Sequence, residues 1–228
     1  MDSHRSTYCH YRSFSNQMML LRLLGFRVID MNNAIDILKG HKKSSTKTVV
    51  LTFDDGYENF YEYAYPCLKR HKFPAIVYIL AGFLGQKAEW FASDGRECPP
   101  LMDIARIQFL HNQGIQFGSH GISHRKLAEI SLEEAQREIV ESKIALEKSL
   151  GMNIDHFCYP YGSHNYEIVQ TVKQAGYKSA VTCVRGRAKL GNDLYQLPRK
   201  AISFGDSLIG FAWKLLIKNR RKTPELKA

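Results

Sequence analysis

Nowhere in the 228 residues is there a run approaching the ~18 consecutive apolar residues of a membrane-crossing helix. Paired cysteines are missing as well. Cys9, Cys67, Cys98, Cys158 and Cys183 form an odd, scattered set with no CxxC, which makes a poor disulfide framework and points to reduced thiols. The chain has no internal repeat and no low-complexity block, so a collagen-like or largely disordered protein is excluded. The first seventeen residues, MDSHRSTYCHYRSFSNQ, lack the apolar core of a signal peptide; the expected location is cytoplasmic or peripheral to the inner face of a membrane. Acidic residues are also short, 22 Asp+Glu against 32 Lys+Arg, leaving a formal charge of +10. That balance favours acidic partners such as nucleic acid, anionic lipid head groups or acidic glycans. What is present is ordinary for a globular protein: 44% apolar residues and enough length for one large domain with a cleft.

Apolar runs alternate with amphipathic ones. Residues 14–25 read as a helix stopped by Gly25, 26–29 as a short strand, and 31–39 as a helix ending at Gly40. After a polar loop at 41–46, KTVVLTF (47–53) has the β-branched density of a buried strand. The pattern then predicts a helix over 57–72, a strand at 75–80, an irregular loop over 83–100, a helix over 101–113 and a strand at 115–118. The clearest helix is 131–150, where Ser131 and Glu134 spell a capping box and Gly151 closes the run. A strand at 155–159, a helix at 164–175, a strand at 178–183 and an apolar stretch near 197–202 complete the series. Strands alternating with helices predict a mostly parallel α/β fold, and periodicity does not choose between a barrel and a doubly wound sheet.

In such folds chemistry gathers where strands end. Three polar clusters stand there. Asp54-Asp55-Gly56 directly follows KTVVLTF; adjacent carboxylates are costly there unless used, and both can serve one site only where Gly56 lets the backbone leave the strand. The bland reading is a helix cap beside a solvated neighbour. His120-Gly121-Ile122-Ser123-His124 follows the strand at 115–118, and the i, i+4 spacing puts both imidazoles on one side of a helical turn. Two His and one Asp would make a three-ligand metal site with an open position, although two near histidines in a chain of nine also arise by chance. Cys158-Tyr159-Pro160-Tyr161-Gly162 reads either as a simple turn or as a rigid lip with backbone N–H groups facing a site.

In this order and spacing the clusters resemble the motifs of the polysaccharide deacetylases of carbohydrate esterase family 4, the NodB-homology domain. TFDDG (52–56) matches the family's first motif, SHGISH (119–124) resembles the second with Gly121 in the hydroxyl position, and YPYG (159–162) resembles the third. The resemblance implies an irregular, TIM-like (β/α)7 barrel with the active site at the C-terminal mouth of its strands. It implies that Asp55, His120 and His124 bind a divalent metal, zinc by default with cobalt, nickel or manganese as alternatives, and that Asp54 is the general base. The Tyr161 backbone N–H would donate to the oxyanion, and Tyr159, Pro160, Tyr161 and Gly162 would line the substrate. The implied reaction is hydrolysis of an N-acetyl, or less often O-acetyl, group on a glycan or lipid-linked sugar.

The sequence also departs from the family. Cys158 stands where the third motif has Arg; Arg199, in LPRKA, is a candidate replacement for orienting the base, with a solvated or phosphate-binding Arg as the alternative. No histidine follows His164, so either His164 is the candidate general acid or metal-bound water would return the proton and His164 is a plain early-helix residue. The family's opening strand with a Tyr-His pair is not legible before residue 14. These departures keep open a catalytically impaired pseudoenzyme of the same fold that binds glycans or an anionic membrane surface. The expected organisation is a catalytic domain over 14–205 followed by a basic amphipathic helix and tail over 206–228. That tail suggests either a final helix packed on the barrel with a solvated basic end or peripheral contact with an anionic membrane. No nucleic-acid recognition motif accompanies the charge, and no nucleic-acid partner is expected.

Overall fold

The computed structural model describes residues 8–43 and 47–217. The elements in chain order are α1 (Tyr11–Leu23), β1 (Arg27–Val28), α2 (Met31–Leu38), β2 (Thr48–Val49), β3 (Thr52–Phe53) and α3 (Tyr65–His71). Next come β4 (Ile76–Ile79), α4 (Ile104–Asn112), β5 (Gln116–Ser119), α5 (Leu132–Leu150) and β6 (His156–Cys158). The series ends with α6 (Tyr166–Gln174), β7 (Ser179–Arg185), β8 (Leu197–Arg199) and α7 (Leu208–Leu216). Among the described residues no helix is long and apolar enough to cross a membrane. The loop expected at 41–46 and the tail expected to 228 lie partly outside the described residues, at 44–46 and 218–228.

Strand order answers what periodicity left open. Six strands run parallel in the order β3-β4-β5-β6-β7-β8, each beside its successor in the chain. A doubly wound sheet reverses order at a switch point; this one never does, so it curls one way as a barrel sheet does. The strand expected over 47–53 is divided. Its first part, β2, pairs with β1, and its second, β3, pairs with β4, so one extended segment joins the two sheets. No ladder joins β1 to β8 among the described residues, and no strand precedes α1 there. The result is a curled parallel half-barrel, an incomplete (β/α)7 arrangement.

Alternation along the strands sorts the core into two faces. Ile76, Tyr78, Cys158, Val181 and Leu197 pack together inside the curl with Met31 and Ile35 of α2. Val77, Ile79, Phe117, Phe157 and Ala180 face outward into the helix layer, against residues such as Leu68, Ile107, Leu110, Ile139 and Val172. Each fully buried aliphatic side chain contributes about 1.5–3 kcal/mol, so β4, buried at every position, anchors both faces. α5 begins with its predicted capping box and ends at Gly151 in the left-handed region. The start of α2 is tied to the N-terminal end of the sheet: the Met31 N–H donates to Gln116 Oε1, and Asn32 Oδ1 meets His156 Nε2 at 3.1 Å.

His156 is buried at the base of β6, with Nδ1 2.9 Å from Ser179 Oγ. Burial pulls its imidazole down to about 4 from an ordinary 6.5. The unfolded chain therefore takes up this proton first as pH falls, and stability present above 6.5 is lost on the way to 4. The full span corresponds to about 3 kcal/mol. Thermal melts across that window should show the loss, and His156→Gln should flatten this part of the profile; an unchanged slope would contradict the assignment.

Candidate metal centre and active site

The strand ends converge at the C-terminal mouth of the curl. After Phe53 the backbone turns left-handed twice in succession, at Asp55 (φ 71°) and Gly56 (φ 77°). A side chain at position 56 would place its Cβ 2.7 Å from Ile79 Cγ2, so only glycine fits the turn. This exit from the strand sends the two adjacent carboxylates to different partners.

Asp55 faces the histidines. Its Oδ1 lies 3.3 Å from His120 Nε2 and 3.3 Å from His124 Nε2, while Oδ2 accepts the Tyr57 hydroxyl at 2.8 Å. Burial pushes the Asp55 carboxyl upward, but the hydrogen bonds and charges of both imidazoles outweigh it and hold the group well below the usual carboxylate range. Burial first, and then the Asp55 charge, drive the Tyr57 phenol far upward, so Tyr57 stays a donor. Donor atoms about 2.0–2.1 Å from a tetrahedral ion stand roughly 3.4 Å apart, and the two Nε2–Oδ1 separations match that spacing. One donor atom from each of the three residues lies within 4.8 Å of the others. The set fits a divalent cation.

The ligand atoms are pre-oriented. His120 Nδ1 is 2.7 Å from the Cys158 carbonyl, which only accepts, so Nδ1 carries a proton and Nε2 is the nitrogen turned toward Asp55 Oδ1. His124 is held differently. Its ring lies against Trp90 (centroids 4.7 Å apart) and Tyr161 (4.5 Å), and its buried Nδ1 meets no hydrogen-bond partner among the described residues. Burial keeps the His124 imidazole below its ordinary value, more than Asp55 raises it, which favours the neutral form a ligand needs.

The helical turn expected between the two histidines is absent. Residues 120–124 form a loop with Gly121 at φ 84° and His124 at φ 58°. The loop's amides do not bond to carbonyls one turn back. Those of Ile122 and Ser123 donate to Glu138 Oε2 at 2.7 and 3.0 Å, and the Ser123 hydroxyl donates to Oε1. Glu138 is a buried carboxylate on α5, and its Oε2 would lie 3.0 Å from a Cβ at position 121. Glycine therefore replaces the hydroxyl residue of the usual motif for a local reason.

Asp54 faces the opposite way. Its two oxygens accept from Arg199 Nη1 and Nη2 at 2.7 and 2.8 Å, a bidentate pair between residues 145 apart in sequence. Arg199 is itself fixed by the Thr182 carbonyl (3.0 Å), Thr52 Oγ1 (3.1 Å) and Cys158 Sγ (3.2 Å). Between Val181↔Leu197 and Arg185↔Arg199 the register shifts, a bulge of the kind that re-aims side chains beside sites. Burial pushes Asp54 upward, but the Arg199 charge and hydrogen bonds prevail and its carboxyl lies below the ordinary value. An Asp54 oxygen is within 4.8 Å of a His120 ring nitrogen, so the second carboxylate borders the first cluster.

Tyr159 is buried and donates its hydroxyl to the Tyr195 carbonyl; Pro160 is buried, and Tyr161 adopts φ 57° beside His124. Gly162 packs against β7 where a Cβ would meet Cys183 Cβ at 2.7 Å. His164 stands apart from the cluster. Its Nδ1 bonds the Gly162 carbonyl at 2.7 Å and its ring stacks on Tyr159; neither contact reaches Asp54, Asp55, His120 or His124. Tyr57, Trp90 and Glu138 are the site residues that sequence reasoning missed. Only Glu138 carried a signal, a carboxylate between Ala135, Ile139 and Ser142 on the buried face of α5.

The sequence profile described as polysaccharide deacetylase matches residues 41–180. YxkH of Bacillus subtilis (strain 168), whose name assigns it provisionally to the polysaccharide deacetylases, is 28% identical over 196 residues, covering 86% of this chain and 66% of that protein. The poly-β-1,6-N-acetyl-D-glucosamine N-deacetylase of Escherichia coli (strain K12) is 26% identical, covering 92% of this chain and 35% of that protein. The chain thus spans two thirds or less of the length of these relatives. The structure of the Streptococcus pyogenes deacetylase PplD in complex with acetate superposes with a TM-score of 0.78 at 25% identity, covering 91% of this chain and 87% of that one.

Removing the guanidinium by Arg199→Met should leave Asp54 facing Cys158 and the barrel interior without its cation. Asp54 keeps 33% of its side chain exposed, so the expected loss is set below that of a fully buried pair, at about 2 kcal/mol. Denaturant unfolding of Arg199→Met, Asp54→Asn and the double variant should return a coupling of that order; additive losses would show that the pair contributes nothing.

Proposed function

The chain belongs to the polysaccharide deacetylase family, and on that premise we propose that it is a metal-dependent hydrolase removing N-acetyl groups from a glycan or lipid-linked sugar, with release of acetate. One observation carries the reading: a single oxygen, Asp55 Oδ1, stands 3.3 Å from two imidazole Nε2 atoms while a second carboxylate borders the cluster, paired to its own arginine. An inactive scaffold has no need to hold two neighbouring aspartates ionised in this way, so the pseudoenzyme alternative is not favoured.

Asp55, His120 and His124 would hold the cation. Zinc is our assignment, because two imidazoles and a carboxylate with an open position are a donor set catalytic zinc uses; cobalt, nickel and manganese accept the same donors. When bound, such an ion supplies Lewis-acid polarisation and a more acidic water. The chain's own residues supply the rest. Asp54 takes the proton from the attacking water as general base, and Arg199 keeps it ionised and fixes the plane of its carboxylate. The Tyr161 backbone N–H donates to the oxyanion, a contribution on the order of 3–4 kcal/mol for one well-aimed donor. The left-handed turn at Tyr161 supports that role, since strained backbone at a strand end is retained where it aims a group. Tyr159 and Pro160, both buried, support the lip from beneath, and Tyr161 and Gly162 form the surface against which the sugar is held. Trp90 and Tyr161 present ring faces around His124 for the pyranose and its acetyl methyl. His164 in its present position bonds within its own loop, and we give it no part in the chemistry; the proton that Asp54 takes from water is the one it passes to the departing amine. Residues 14–205 would constitute the catalytic unit, with the segment from Asp206 onward contributing contact and not chemistry.

The substrate to try first is a β-1,6-linked N-acetylglucosamine oligomer, the polymer named for the Escherichia coli relative. Zinc-loaded protein should release acetate from it, lose that activity on chelation and regain it when zinc is restored. O-acetylated sugars are the second substrate class to test. A chain that binds one zinc per molecule and yet releases no acetate from any acetylated oligomer would return the pseudoenzyme reading.

A further inference from the structure

The last described helix, α7, is two-faced in an unusual way. Phe211 (3% exposed) and Leu215 turn into the hydrophobic core, and α7 packs beside α1. The opposite face is apolar too: Ile209 is 83% exposed, Trp213 45%, Leu216 44% and Ile217 66%. At i, i+4, i+7 and i+8 these four fall within an arc of roughly 100°, opposite Phe211 and Leu215. Contacts at both ends of the helix also hold it in place. The Ser207 side chain caps its N-terminus, Lys214 pairs with Asp206 at 2.6 Å, and Lys200 donates to the carbonyls of Lys214 and Leu215 at its C-terminal end. An apolar stripe on a docked, capped helix is a presented surface and not a frayed end.

Charge indicates what meets it. Residues 218–228, which follow the helix directly in sequence, contain five Lys/Arg and one Glu. A second copy of this chain is a poor occupant, because a symmetric contact would bring two such cationic segments together on molecules of charge +10. Aliphatic side chains with an interfacial tryptophan, followed by a cluster of Lys and Arg, are instead the two halves of a peripheral membrane contact. The former enter the acyl boundary and the latter neutralise anionic head groups. We propose that the outer face of α7 docks this protein on an anionic lipid bilayer, orienting the catalytic unit at a membrane surface.

The test is cosedimentation of the full chain with vesicles of phosphatidylcholine alone and of phosphatidylcholine with phosphatidylglycerol. Binding is expected only to the anionic vesicles, weakening as salt is raised. Ile209→Ser/Ile217→Ser and Arg220→Gln/Arg221→Gln/Lys222→Gln should each lower the partition coefficient by about tenfold or more. Neither variant touches the catalytic cluster, so melting temperature and acetate release from a soluble oligomer should stay at the unmodified level, which separates this proposal from the assignment of activity. No binding to anionic vesicles, or binding that survives the isoleucine substitutions, would overturn it. So would a dimer in light scattering that the same substitutions dissolve, since the face would then belong to a second copy.

Discussion

The site depends on one backbone event: the chain leaves β3 through two consecutive left-handed residues, Asp55 and Gly56. Neighbouring strand residues point to opposite faces, and two adjacent carboxylates in one low-dielectric pocket would otherwise force one of them to protonate. The turn gives each carboxylate its own compensation. Asp54 meets a guanidinium and Asp55 meets two imidazoles and a phenol. The proposed division of labour between a free base and a metal ligand rests on that separation. The left-handed backbone at Asp55, His124 and Tyr161 costs on the order of 1–3 kcal/mol at each, an amount the doubly buried strand β4 and its neighbours can carry.

The half-barrel makes the same residues converge. β3 and β8 are the outer strands of the six-stranded sheet, yet Arg199 on β8 reaches Thr52 and Asp54 at β3. Only a strongly curled sheet brings its two edges within the length of one side chain. The ion pair therefore acts as a clasp across the mouth as well as a partner for the Asp54 carboxylate. Cys158, at the position where the family's third motif has arginine, leaves room for a guanidinium arriving from the other side, and its thiol lies 3.2 Å from Arg199 Nη2.

Much of this was legible in the sequence because it is local. Capping at Ser131, the stop at Gly151, the strand-helix alternation and the need for Gly56 all follow from neighbouring residues. Strand order was not legible, since helical and strand periodicity say which face is buried and nothing about which strand lies alongside. The histidine pair illustrates the limit. Spacing suggested a helical turn, but Glu138, fourteen residues beyond His124, captures the loop amides and imposes a different backbone. Tyr57 and Trp90 escaped notice because their roles come from a long irregular segment folding back: Tyr57 bridges to Leu101, and Trp90 is carried over His124 by the short helix Glu89–Asp94. The distance from Arg199 to Asp54 is set by sheet curvature, which no short string encodes.

The central claim is that adjacent aspartates hold separate offices, and zinc stoichiometry measured alongside acetate release tests it most directly. The account predicts that Asp54→Asn keeps one zinc per chain while acetate release falls by a factor on the order of 10²–10⁴, and that Asp55→Asn loses the metal and the activity together. Equal zinc loss in both variants, or acetate release by Asp54→Asn near the unmodified rate, would contradict it.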